Sequence, residues 1–137
     1  MTPARDRLAR ILMITLGIAS VGAFATPALT FQSFAPDRIN IETWRMFGFL
    51  VFAGLFTLLG LFPRRMTGIW ELVFFHKAGV AVFLAYFVKP DAAANVTFVD
   101  STGNIILVDA VLAGTTFFCY LLTNGWRAWM QPRGEVQ

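Results

Sequence analysis

Four long apolar stretches of this chain contain almost no charged side chains, and this pattern limits what the chain can fold into. The ionisable residues inside the stretches are Glu71, His76, Lys77 and Asp109. A helix that crosses a bilayer needs about 20 mostly apolar residues, and each stretch has about that length. The sequence therefore predicts an all-α, polytopic membrane protein, a four-transmembrane-helix antiparallel bundle. The predicted helices lie at about 9–31, 46–62, 66–88 and 104–126.

The composition agrees with a membrane location. Of the 137 residues, 57% are hydrophobic and only 14% are charged. Four helices take up most of this length, so we expect a single membrane domain over residues 1–137, surrounded by the lipid bilayer. The net charge is +3, but the basic residues flank the apolar stretches and form no stripe with interleaved aromatic side chains. A nucleic acid partner is therefore not expected.

The basic residues predict the orientation of the chain in the membrane. Three of them, Arg38, Arg45 and Lys89, would lie on one side, where acidic residues dilute them. Seven would lie on the other side: Arg5, Arg7, Arg10, Arg64, Arg65, Arg127 and Arg133. Cytoplasmic loops carry an excess of Lys and Arg. We therefore predict a multi-pass protein of the inner (plasma) membrane, with the N-terminus and the C-terminus in the cytoplasm.

The first helix has an alternative interpretation. Its basic start, its apolar segment and the sequence Ala23-Phe24-Ala25 also fit a cleavable signal peptide formed by residues 1–25. The apolar character continues as far as Phe31, which favours retention as a membrane span. Cleavage would leave three spans, with the C-terminus still in the cytoplasm.

Cysteine and histidine are too few for several kinds of site. Cys119 is the only cysteine, so the chain has no internal disulfide, no C-x-x-C pair and no thiolate metal cluster. Its apolar neighbours are typical of an inert packing residue. His76 is the only histidine, which excludes a bis-histidine haem within one chain. The sequence thus contains no evident catalytic motif, metal site or cofactor site.

Three ionisable residues lie on predicted helix 3, where such groups usually face other helices and often mark function. Glu71 is about 140° around the helix from His76 and about 120° from Lys77 in the opposite sense. The three side chains therefore do not share a face, and at least two need partners on other helices or must extend toward the headgroups. For His76, an ordinary hydrogen-bonded core position is the alternative to a chemical role.

Predicted helix 4 carries one polar stripe on an otherwise aliphatic and aromatic surface. Alternating spacings of four and three residues place its members on one face: Asp109, Ala113, Thr116, Tyr120 and Thr123. We expect this face to point toward other helices and Asp109 to pair with Lys77, with Glu71 as the alternative partner of Lys77. The alternative is that such polar contacts serve only to pack the helices. The candidate intramembrane polar site comprises Glu71, His76, Lys77, Asp109, Thr116 and Tyr120.

Small residues on predicted helices 1 and 2 have the spacing that allows two helix backbones to approach closely. Helix 1 contains Ala19-x-x-x-Ala23 and Gly22-x-x-x-Thr26 as well as Gly17. The small residues of helix 2 are Gly48, Ala53, Gly54, Thr57 and Gly60. This spacing predicts helix contact and carries no functional information.

The pattern of spans resembles a known group of proteins. Its cytoplasmic termini, its glycine-rich second helix and the Arg64-Arg65 turn before a charged third helix are similar to the DoxX-like small bacterial four-helix membrane proteins. The resemblance covers the architecture of the whole chain and involves no sequence motif. It implies an association with redox or quinone-linked membrane complexes.

Three functions fit these features. The first is a non-catalytic accessory or assembly component of a membrane complex, redox-linked complexes included, with other membrane subunits or a second copy of the chain as partners. The alternative is a small proton-coupled transporter that uses Glu71, His76, Lys77 and Asp109. A lipid- or quinone-binding membrane enzyme is the second alternative. A water-filled cavity at the ionisable residues would favour transport, whereas a fully paired core would favour the accessory function.

Overall fold

The computed structural model of the chain describes residues 3–87 and 102–130. These residues contain four α-helices and no strand, which confirms the predicted all-α class. All four helices are long and apolar enough to cross a membrane. The helices are α1 (Pro3–Leu29), α2 (Ile39–Leu61), α3 (Ile69–Phe87) and α4 (Thr102–Thr123), with short 3₁₀ helices at Phe31–Ser33 and Gly125–Met130. Most of the segment between the third and fourth predicted helices, residues 89–103, lies outside the described residues.

The helices α1 and α2 form an antiparallel hairpin, which we call the first hairpin. Glycines allow their close approach: a Cβ atom on Gly17 would lie 2.9 Å from the Thr57 hydroxyl oxygen, and one on Gly60 would lie 3.0 Å from the Ile14 side chain. An ion pair of 2.6 Å between Arg64 and Asp6 joins the turn after α2 to the beginning of α1. Small residues therefore set the distance between these two helices.

Only part of the predicted small-residue contact is present. A Cβ atom on Gly22 would meet nothing within 4 Å, and Ala19 and Thr26 are exposed. Gly48 and Gly54 likewise have open space where a side chain would be. The spacing repeats on more than one face of each helix, and only the face that contains Gly17 meets the partner helix.

The second helix begins at Ile39, seven residues before the predicted start at residue 46. The run from Ile39 to Trp44, which lies before the predicted helix, forms the first turns of α2. Glu42 pairs there with Arg38 and Arg45, and helical spacing brings these residues together. The charged run therefore extends the helix instead of ending it.

The helices α3 and α4 form a second antiparallel hairpin, which continues into the 3₁₀ helix Gly125–Met130. Gly68, with φ +80°, precedes α3, and Asn124, with φ 51°, follows α4. Each thus stands in the left-handed region next to a helix end, where glycine and asparagine are favoured. Ala128, which follows the turn at Asn124, accepts a hydrogen bond of 3.3 Å at its carbonyl from the hydroxyl of Thr67, which precedes α3. The 3₁₀ helix therefore packs back against the beginning of α3.

Candidate functional site

The central polar contact of the second hairpin is an ion pair between Lys77 and Asp109. The Lys77 ammonium lies 2.9 Å from the Asp109 carboxylate, and the two side chains are only 9% and 11% exposed. Lys77 belongs to the buried row of α3, which also contains Trp70, Val73 and Ala81 at helical spacing. The predicted pairing of Lys77 with Asp109 is confirmed.

The depths of the two residues explain why lysine suits this contact. Lys77 is close to the middle of α3, whereas Asp109 is only seven residues beyond the start of α4 at Thr102. In an antiparallel hairpin the ammonium must therefore extend along the helix axis to meet the carboxylate. The four-carbon stem of lysine provides this reach while its methylene groups stay against apolar surface.

Four of the five residues of the polar stripe of α4 are buried, as the spacing predicted, and Tyr120 is half-buried. The buried residues of the stripe are Asp109, Ala113, Thr116 and Thr123. On another side of the helix, about half of the surface is exposed for Leu107, Val111 and Phe118. The Thr116 hydroxyl donates to the Leu112 carbonyl at 2.7 Å, one turn back in the same helix. Such a hydroxyl has its hydrogen-bond acceptor within its own helix and needs none from another helix. Thr116 therefore acts as a packing residue in this structure.

Glu71 forms a second polar centre, separate from the ion pair. Its Oε1 atom accepts a hydrogen bond of 3.0 Å from the Tyr120 hydroxyl and one of 3.1 Å from the Trp129 indole nitrogen. Both donors point at the same oxygen, so they fix the orientation of the carboxylate. The sequence placed Tyr120 in the polar site, but the contribution of Trp129 was not predicted.

Aromatic rings surround this carboxylate. The Tyr120 ring lies 6.1 Å from the Trp70 ring and 5.7 Å from the Trp126 ring, between centroids. Gly125 makes the arrangement possible, because a Cβ atom there would clash with Tyr120 and would lie 2.9 Å from the Trp70 ring. Trp70 itself is buried.

A cavity of about 170 Å³ lies beside Glu71, between α3 and α4. Aromatic side chains form most of its wall, and Glu71 and Thr116 complete it. Neither Lys77 nor Asp109 is part of the lining. The lining residues are Trp70, Glu71, Phe74, Phe75, Thr116, Phe117 and Tyr120.

His76 points to a different face of α3. It is exposed, and it borders an open groove whose other walls are Phe75, Gly79 and Phe83, with Val80 and Leu84 beside them. The structure therefore divides the predicted polar site into three parts. Lys77 pairs with Asp109, Tyr120 bonds Glu71, and His76 stands at the surface.

The first hairpin contains a buried carboxylate that the sequence analysis missed. The Glu42 side chain is 1% exposed, and its two oxygens face Arg38, which directly precedes α2, and Arg45, one turn further along the helix. The signal was present in the sequence as an acidic residue with basic residues four positions before it and three positions after it. The predicted second helix began only at residue 46, so this spacing was not considered as part of it.

The arrangement of ionisable groups limits the available chemistry. Within residues 3–87 and 102–130, no three His, Cys, Asp or Glu side chains are grouped so that they could hold a metal ion. Cys119 is buried, in agreement with its predicted packing role. The groups described here can exchange hydrogen bonds and pair charges.

Comparison with known proteins finds no matching protein family, no similar curated protein and no similar solved structure. The resemblance to the DoxX-like group stays a prediction.

Proposed function

We propose that this chain is a non-catalytic membrane protein that serves as an accessory or assembly component of a larger membrane complex. The observation that supports this proposal is the closed ion pair in the second hairpin. Lys77 and Asp109 neutralise each other at 2.9 Å, and little of either side chain is exposed. Their charges hold α3 against α4.

A carrier needs ionisable groups that water or substrate reaches in turn. The buried threonines of α4 bond to carbonyls of their own helix, at 2.7 Å for Thr116 and 2.8 Å for Thr123. The hydroxyls of these two threonines are thus satisfied within α4 itself, whereas the Lys77–Asp109 ion pair joins α4 to α3. The outward faces of the hairpin are apolar and aromatic, which suits contact with lipid or with another membrane subunit.

Purification of the tagged chain in mild detergent, followed by native mass spectrometry, tests this proposal. We expect a membrane protein partner at fixed stoichiometry. The control is the variant Val111→Trp, which alters an exposed position of α4. It should weaken the binding of a partner that contacts this face. The proposal is contradicted if the chain, purified from native membranes in several mild detergents, is found with lipid alone.

The second candidate is the proton-coupled carrier, and one observation favours it. Glu71 is a half-buried ionisable residue, and it belongs to the residues around the cavity between α3 and α4. Proteoliposomes with an entrapped pH indicator separate the two functions. Proton flux that is lost in Glu71→Gln would establish the carrier function. The accessory function predicts vesicles that are no more permeable to protons than protein-free controls.

We also propose that the chain lies in the inner membrane, with both termini in the cytoplasm. The support is the excess of basic residues on the predicted cytoplasmic side. The resemblance to DoxX-like proteins adds redox-linked complexes to the candidates for the partner.

A further inference from the structure

One end of the first hairpin is strongly basic. The ion pair between Arg64 and Asp6 shows that the beginning of α1 and the turn after α2 meet there. These two segments contain the arginines Arg5, Arg7, Arg10, Arg64 and Arg65. Asp6 is the only acidic residue of 3–10 and 62–66, so this end carries a net charge of +4. At the opposite end of the hairpin, residues 30–45 contain two basic and two acidic residues, which cancel.

Most of this positive charge is not compensated by the protein. Arg64 pairs with Asp6, but the other four arginines are exposed. Within residues 3–87 and 102–130, the side chains of Arg5, Arg7, Arg10 and Arg65 form no ion pair and no hydrogen bond. Their guanidinium groups are therefore available to an anion from outside this part of the chain.

Helical spacing places two of these arginines side by side. Arg7 and Arg10 are three residues apart on α1, so they are neighbours on the helix surface. Ile14, one turn beyond Arg10, lies against Gly60 near the end of α2. Arg7 and Arg10 therefore lie on the flank of α1 that borders the end of α2. Arg5 is about 200° around the helix from Arg7 and about 140° from Arg10, which puts it on another side.

An apolar surface continues from this pair along α1. Ile11 and Ile18 follow Arg7 at four and eleven residues, which is the same helix face, and they are 55% and 68% exposed. The 27 residues of α1 exceed the roughly 20 that cross the hydrocarbon of a bilayer. In a spanning α1 the arginines before Ile11 thus lie at the level of the headgroups, with the isoleucines beside the acyl chains.

We propose that Arg7 and Arg10 bind the headgroup of an anionic phospholipid, whose acyl chains lie along Ile11 and Ile18. Guanidinium groups bind phosphate oxygens through paired, charge-assisted hydrogen bonds. Basic sites at the ends of membrane helices recognise anionic headgroups in this way. A zwitterionic headgroup would bring its own cation close to the arginines and bind less well. This proposal does not rest on the accessory function.

The test uses the full chain, delipidated in a mild detergent. Phosphatidylglycerol and phosphatidylcholine with the same acyl chains are titrated in turn, and native mass spectrometry counts the bound lipids. We expect saturable binding of phosphatidylglycerol that is at least about tenfold tighter than that of phosphatidylcholine. The variants Arg7→Gln and Arg10→Gln should each weaken phosphatidylglycerol binding about fivefold.

Arg5→Gln is the matched control. It removes the same charge from an exposed side chain in the first turns of α1, but on another side of the helix. We expect phosphatidylglycerol binding to stay unchanged in this variant. Equal losses in the Arg5, Arg7 and Arg10 variants would indicate a diffuse surface charge and overturn the proposal. If either glutamine variant does not fold, Arg10→Lys, which keeps the charge but loses the planar donor group, should still weaken binding measurably.

A competition experiment distinguishes a lipid from a soluble anion. Inorganic phosphate, added at constant ionic strength, should leave phosphatidylglycerol bound, because free phosphate makes no contact with the apolar face of Ile11 and Ile18. Displacement by inorganic phosphate would assign a soluble anion to the arginines and overturn the proposal. Equal binding of phosphatidylglycerol and phosphatidylcholine would overturn it as well.

Discussion

Removal of the Lys77 ammonium should strongly destabilise the second hairpin. The variant Lys77→Met keeps the length and apolar stem of the side chain but removes the cation that lies 2.9 Å from the Asp109 carboxylate. That carboxylate would then remain buried next to a thioether. The variant Asp109→Asn leaves the ammonium in the same situation.

The geometry of the pair sets the size of the effect. At an effective dielectric constant of about 20, two unit charges 2.9 Å apart attract each other by about 6 kcal/mol, much of which offsets the removal of both groups from water. Loss of one partner of a buried pair reduces the free energy of unfolding by about 3–5 kcal/mol. The double variant Lys77→Met with Asp109→Asn contains no buried charge at this contact, so it should recover about 2–3 kcal/mol of the combined loss.

Unfolding by SDS in mixed micelles measures the free energy of unfolding for the four proteins of this double-mutant cycle. The matched control is the same cycle on Arg64 and Asp6, whose side chains are 30% and 37% exposed at a distance of 2.6 Å. An exposed pair should show a coupling below about 1 kcal/mol. Additive effects of the Lys77 and Asp109 substitutions, or a coupling no larger than that of the control pair, would refute the reasoning.

Two further predictions concern packing and topology. Gly17→Ala should lower the free energy of unfolding by about 1–3 kcal/mol, because the new methyl group would lie 2.9 Å from the Thr57 hydroxyl oxygen. Gly22→Ala, where the same methyl group meets nothing within 4 Å, should be neutral or slightly stabilising in the same unfolding assay. A cysteine at Ser101, in a Cys119→Ser background, should react with an impermeant maleimide in intact cells. Reaction only in inverted vesicles would contradict the predicted orientation.

The sequence predicted the ion pair because two general rules agree at these residues. A charge at bilayer depth needs a partner, and helical spacing placed Asp109 on the one polar face of α4. The same rules could not find the hydrogen bond from Trp129 to Glu71. That bond depends on the path of the chain after α4, where the chain turns at Asn124 and where Gly125 leaves room for the Tyr120 and Trp70 rings. The periodicity of apolar residues contains no information about such a path.

The start of α2 and the packing of α1 show two other limits of sequence reasoning. We began the predicted second helix where the apolar stretch begins, at residue 46. The ion pairs of Glu42 extend α2 towards the N-terminus as far as Ile39. Gly17 and Gly22 are both small residues of α1, and only the structure distinguishes the face that meets α2. Helix length and helix face are therefore set by contacts between side chains that hydropathy does not describe.

The ion pair also has a consequence for how the chain enters the lipid. Insertion of a lysine or an aspartate at the centre of a single helix is unfavourable by about 2.5–3.5 kcal/mol. Lys77 and Asp109 belong to successive helices, so either helix alone would carry a lone charge into the hydrocarbon, whereas the two together carry a neutral pair. We therefore expect α3 to remain with the insertion machinery until α4 has been synthesised, and the two helices to pass into the bilayer as one unit.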